Sequence, residues 1–94
     1  SKFPEVRRDL SLLIDDSVSF DELKKIATAT DSKILKSVNL FDVYEGDKLP
    51  KGKKSYAISF TMADESKTLT DKYVDKVMKK LMYSFKEKAG AELR

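Results

Sequence analysis

Residues 55–62 read Ser-Tyr-Ala-Ile-Ser-Phe-Thr-Met, a strict alternation of large apolar side chains with small or polar ones. Successive side chains of a β-strand point to opposite faces, so Tyr56, Ile58, Phe60 and Met62 fall on one side and Ser55, Ala57, Ser59 and Thr61 on the other. The first face must be covered by apolar partners. The second, built of small and polar groups, tolerates water or a bound molecule. A sheet containing this strand therefore carries its core on one side only.

The rest of the chain supplies the covering layer. Leu10, Leu12 and Ile14 share a parity and predict a half-buried first strand. Asp15-Asp16-Ser17 forms a turn cluster, and Ser19-Phe20-Asp21-Glu22 has the capping-box pattern, with Ser19 as N-cap and Glu22 three residues on. Val18 and Leu23 sit where a hydrophobic staple closes a helix start, and Phe20, Leu23, Ile26 and Ala27 form its buried stripe until Thr30-Asp31. Leu35 to Tyr44, with Val38, Phe41, Val43 and Tyr44, predicts a second strand. Its alternation slips once, because Val38 and Leu40 have one parity and Phe41 and Val43 the other, which calls for a β-bulge near Leu40-Phe41. Gly46, Pro50 and Gly52 punctuate the following loop. Thr70 is placed to cap a last helix in which Val74, Val77, Met78, Leu81 and Phe85 recur at helical spacing, Lys86 and Lys88 suit its final turn and Gly90 suits its end. Ala91 to Arg94 is expected to be a short closing strand. The order βαββαβ predicts an α+β, ferredoxin-like domain over residues 1–94, with a four-stranded antiparallel sheet and two helices on one face.

Composition removes several kinds of chemistry. The chain has no cysteine and no histidine, which excludes disulfides, thiolate metal sites and nucleophile arrangements that rely on either residue. Its three glycines are scattered among turns and a helix end, so no phosphate-cradling loop is present. Asp15, Asp16, Asp64 and Glu65 fall at strand ends and loops, where turn chemistry accounts for them. Nothing resembling a membrane span or a signal peptide is visible, so a cytoplasmic setting is expected. The absent initiator methionine points to a piece of a longer chain.

The binding candidate is the uncovered sheet face. Its expected members are Asp9, Ser11, Ser55, Ala57, Ser59 and Thr61, joined by Asp42 and Tyr44 if the bulge exists. Tyr44 would stack on a base, and Asp42, Ser55 and Ser59 would hydrogen-bond base edges. A solvated sheet face has the same polar alternation, so a small-ligand regulatory module or a protein-interaction module of the same fold stays open alongside RNA binding. With 19 Lys and Arg against 16 Asp and Glu, a net charge of +3 and a pI near 9.0, charge adds only a modest pull toward polyanions. Lys48, Lys51, Lys53 and Lys54 in the loop are candidates for phosphate contacts. Lys72, Lys76, Lys79 and Lys80 lie on the last helix, away from the open face.

Read together, Phe3-Pro4-Glu5-Val6-Arg7-Arg8-Asp9-Leu10, Leu40-Phe41-Asp42-Val43-Tyr44, Lys53-Lys54-Ser55, Thr68-Leu69-Thr70-Asp71 and Gly90-Ala91-Glu92-Leu93-Arg94 resemble, in order and spacing, the ferredoxin-fold anticodon-binding domain at the C-terminus of bacterial phenylalanyl-tRNA synthetase β chains. The resemblance covers essentially the whole chain. It implies a non-catalytic domain that holds the tRNA(Phe) anticodon with Asp42, Tyr44 and Ser55. It also implies a parent ligase of α2β2 organisation, with the remainder of the β chain and the α chain as partners and with ATP and Mg2+ as cofactors used outside this domain.

Overall fold

Hydrogen-bonding side chains set the element boundaries. In the computed structural model, which describes residues 3–94, the first strand β1 spans Val6–Asp15 and turns back through a bond from the Val18 amide to the Asp15 carbonyl. Helix α1, Phe20–Thr30, begins with the Ser19 hydroxyl accepting from the Glu22 amide at 3.2 Å. The Ser19 oxygen thereby satisfies one of the amides that a helix start leaves without an internal partner. At its far end Asp31 accepts from the amides of Lys33 and Ile34, both at 3.0 Å, and this Asx turn launches the next strand.

Strands β2, Leu35–Tyr44, and β3, Lys53–Met62, pair directly. Helix α2 covers Asp71–Ala89, with the Thr70 hydroxyl accepting from the Tyr73 amide. It ends on Gly90 at φ 65°, in the left-handed region that glycine enters without a Cβ penalty. The amides of Gly90 and Ala91 then close on the carbonyls of Lys86 and Phe85. Strand β4 is shorter than the sequence predicts. It is confined to Glu92–Leu93 opposite Leu13 and Leu12, after which the Arg94 amide donates to the Ser11 carbonyl at 2.8 Å.

The sheet order is β2-β3-β1-β4, with every neighbouring pair antiparallel. Each helix therefore connects two strands that flank a third, the split βαβ arrangement of the ferredoxin-like fold. Both helices cover the same side. Leu12, Ile14, Ile58, Phe60 and Met62 from the sheet meet Leu23, Ala27, Val74, Leu81 and Phe85 from the helices in one fully buried cluster. Within it the rings of Phe60 and Phe85 lie 6.0 Å apart. Met78 and Met82 pack against the margin of this core as partly buried side chains. Among the described residues, no helix is long and apolar enough to cross a membrane.

Strand β2 breaks step with β3 twice, between Leu35 and Ser37 and between Leu40 and Asp42. The sequence parity points to the second shift; the first goes unmarked. At the second, Leu40 pairs with Ile58 and Asp42 with Ala57, leaving Phe41 as the extra residue. Regular alternation would have turned Asp42 and Tyr44 toward the helices; the extra residue turns them onto the open side.

Candidate nucleic-acid interface

The register places side chains on the uncovered face in rows running across three strands. One row is Leu13, Ser55 and Tyr44; the next is Ser11, Ala57 and Asp42; then follow Asp9, Ser59 and Asn39, and finally Arg7, Thr61 and Ser37. The four residues expected to read bases, Asp42, Tyr44, Ser55 and Ser59, all belong to this face. The small residues in its centre leave a floor on which a flat molecule can lie.

Tyr44, the last residue of β2, has its ring beneath the guanidinium of Arg94, whose carbon lies 5.1 Å from the ring centroid. The same guanidinium donates to the Ser55 hydroxyl at 3.2 Å. Arg94 thus reaches from beyond β4 across β1 to β3 and β2, gathering an aromatic plane, a hydroxyl and a positive charge into one cluster. Ser55 is left only 3% exposed and Ser59 7% exposed, so both serines form the floor of the face, whereas Asp42 is open to solvent.

The tyrosine is also positioned from its other side. A Cβ added to Gly46 would lie 2.8 Å from the Tyr44 hydroxyl and 3.0 Å from its ring carbon, so the ring occupies space that only glycine leaves free.

Arg94 was not among the expected site residues. Its contact with Ser55 spans 39 positions, and no local pattern announces it. Phe41 is a second departure. Its parity with Val43 groups it with apolar residues, but in the bulge it shares the side of Asp42. Its ring is 53% exposed and lies under the Arg7 guanidinium, 5.5 Å away. Arg7 in turn is held by Asp9, with Nε to Oδ1 at 3.0 Å and Nη2 to Oδ2 at 3.4 Å.

The loop lysines separate. Lys48 and Lys51 are exposed. Lys53 pairs with Asp15 at 2.8 Å, and this hydrogen bond outweighs an opposing desolvation and, with the fields of Asp15 and Glu92 added, holds its ammonium above the ordinary lysine range. Lys53 is therefore charged at any physiological pH and stands at the rim of the open face. Lys54 belongs elsewhere. It pairs with Ile14 on the helix side, is 8% exposed, and donates to the Asp16 carbonyl at 2.9 Å with its ammonium 4.7 Å from the Tyr56 ring centroid. This geometry corrects the expectation of a phosphate contact there: the Lys54 ammonium is already engaged inside the domain, on the side away from the open face.

Comparisons with known proteins bear on the family of the chain. The model of the ferredoxin-fold anticodon binding domain matches residues 1–94. The phenylalanine–tRNA ligase beta subunit of Bacteroides fragilis is 58% identical over all 94 residues, that of Bacteroides thetaiotaomicron 55% over the same span, and that of Clostridium acetobutylicum 45% over 93 residues, or 99% of the chain. The chain spans 12% of the length of each of these relatives. A match to the family model from end to end, on a chain with the expected two-layer fold, shows that it belongs to the ferredoxin-fold anticodon-binding domain family.

Proposed function

We propose that the open sheet face holds the anticodon of tRNA(Phe) and positions that tRNA for a phenylalanine–tRNA ligase whose chemistry takes place outside this chain. The observation that carries the reading is the cluster of Tyr44, Arg94 and Ser55, with Asp42 one row away. A base is a flat π-system with hydrogen-bonding edges. The cluster offers a ring and a guanidinium plane to stack on, beside a carboxylate and a hydroxyl to read edges. Asp42 accepts from a base amino or imino group, and Ser55 exchanges hydrogen bonds once Arg94 shifts. Ser59 lines the floor. Lys51 and Lys53 at the rim meet phosphates and add a salt-dependent component.

The relatives' name brings in the remaining proposals. The longer protein joins phenylalanine to tRNA at the expense of ATP with Mg2+, partnered by an α chain and working in the cytoplasm, and this domain serves it as an anchor. A titration of the 15N-labelled chain with an anticodon stem-loop of tRNA(Phe) tests the site. Resonances of Asp42, Tyr44, Ser55, Ala57 and Arg94 are expected to move while those of Val74, Val77 and Leu81 stay. Shifts confined to the helix face would show that the site is misplaced.

A further inference from the structure

We infer that the open face carries a second base-stacking subsite, formed by Phe41, Arg7 and Asp9, that takes another nucleotide of the strand whose base rests on Tyr44. This rests on the reading of the face as an RNA-binding surface.

The first observation is the bulge. It sets Phe41 and Asp42 side by side on the face that faces solvent, and leaves a phenylalanine ring 53% exposed there. One exposed apolar side chain is ordinary for a protein surface, so exposure alone decides nothing. The arrangement around it does. Arg7, on the opposite side of β3, extends its guanidinium over the Phe41 ring at 5.5 Å, and Asp9 fixes the guanidinium plane through two hydrogen bonds. At the other end of the face, Arg94 lies over Tyr44 at 5.1 Å and is held by Ser55. The same device therefore occurs twice on one sheet surface: an aromatic ring at β2, an arginine plane brought across from the far strands, and a polar group that orients the arginine.

Each pair is a stacking clamp. A base inserted between two planes needs roughly 6.8 Å, twice the ~3.4 Å repeat of stacked bases, so Arg7 has to lift by little more than an ångström. Its side chain is 61% exposed and Asp9's is 49% exposed, leaving both room to move. Phe41 and Tyr44 are three residues apart on β2, roughly 10 Å at about 3.4 Å per residue. That exceeds the stacking repeat, so the two bases are splayed apart rather than stacked on one another, as single-stranded loop nucleotides are when a sheet reads them. Asp42 and Ala57, in the row next to that of Tyr44, line the path between the clamps.

The test uses anticodon stem-loops in which 2-aminopurine replaces the loop nucleotides one at a time, because stacking quenches its fluorescence. With the unaltered chain, two separate loop positions are expected to quench. Tyr44→Ala should restore emission at one of them and Phe41→Leu, which keeps an apolar side chain but removes the ring, at the other. Phe41→Ala should weaken stem-loop affinity about 5- to 150-fold, the range for one lost stacked base. Arg7→Gln, which disturbs no core contact, should release the Phe41-dependent position as well, and thermal melts of all variants identify any that fail to fold. If Phe41→Leu and Arg7→Gln leave both quenching and affinity unchanged while Tyr44→Ala abolishes its own signal, the second subsite does not exist and the proposed function stands. If the unaltered chain quenches no loop position, both readings fall together.

Discussion

Replacing Tyr44 by alanine isolates the side chain on which the proposed site turns. The residue closes β2, lies outside the buried core, and touches chiefly Arg94 above and Gly46 beside it, so the fold should tolerate its loss. The binding cost has two sources. One stacked base is worth ~1–3 kcal/mol. Arg94 also loses the ring that helps to place it, a contact worth about 0.5–1 kcal/mol at an exposed site, while its hydrogen bond to Ser55 remains. A combined loss near 2 kcal/mol corresponds to roughly 30-fold weaker binding. Fluorescence anisotropy of a labelled anticodon stem-loop, titrated with the chain at two salt concentrations, reads this directly. Tyr44→Phe keeps the ring and should bind within about threefold of the unaltered chain. The salt slope should not change in either variant, since no charge is removed. An affinity for Tyr44→Ala within threefold of the original would refute the assignment of the ring as a stacking platform.

Gly46→Ala should weaken stem-loop binding less than Tyr44→Ala and leave the thermal midpoint unchanged, because the added methyl meets only the movable end of the Tyr44 side chain; combined with Tyr44→Ala it should cost nothing more, a non-additivity that a double-mutant cycle measures. Lys51→Gln should reduce the slope of log affinity against log salt by about 0.7, the value for one phosphate contact to a single strand. Lys54→Met should instead leave that slope intact and lower stability to urea by about 1 kcal/mol, through the lost bond to the Asp16 carbonyl. Asp64 is held below the usual carboxylate value, first by the Ser66 hydroxyl and then by the Ser66 amide. A depressed folded-state pKa contributes stability that is present above the unfolded value and is lost as pH falls through the folded one. NMR titration should find Asp64 below 3.8, moving toward that value in Ser66→Ala.

What the sequence disclosed follows from the range of the forces involved. Capping by Ser19 and Thr70, the stop at Gly90 and the alternation of 55–62 are local, so a few adjacent residues specify them. The bulge was legible because burial registers parity: once Leu40 and Val43 both have to meet the helix side, one residue between them must be extra. Lys54 shares the parity of Tyr56 and so is a helix-side residue by the same burial pattern. Its place in a run of lysines concealed that. The slip at Lys36 lies between Leu35 and Val38, which both pair on the helix side, but the adjacent apolar residues Ile34 and Leu35 blur the parity there. Arg94 and Arg7 were beyond reach for another reason. Arg7 acts across β3 and Arg94 across β1 and β3 to reach their aromatic partners on β2, and only the sheet order brings them together.

Selective binding of the anticodon loop is the central claim, and it is tested most directly by titrating the chain with the tRNA(Phe) anticodon stem-loop and with the same stem carrying a scrambled loop, under identical salt. Binding to the first is expected to weaken as salt rises, and binding to the second to be at least tenfold weaker. Equal affinity for the two loops would contradict the claim, since electrostatic attraction to the stem would then account for all the binding.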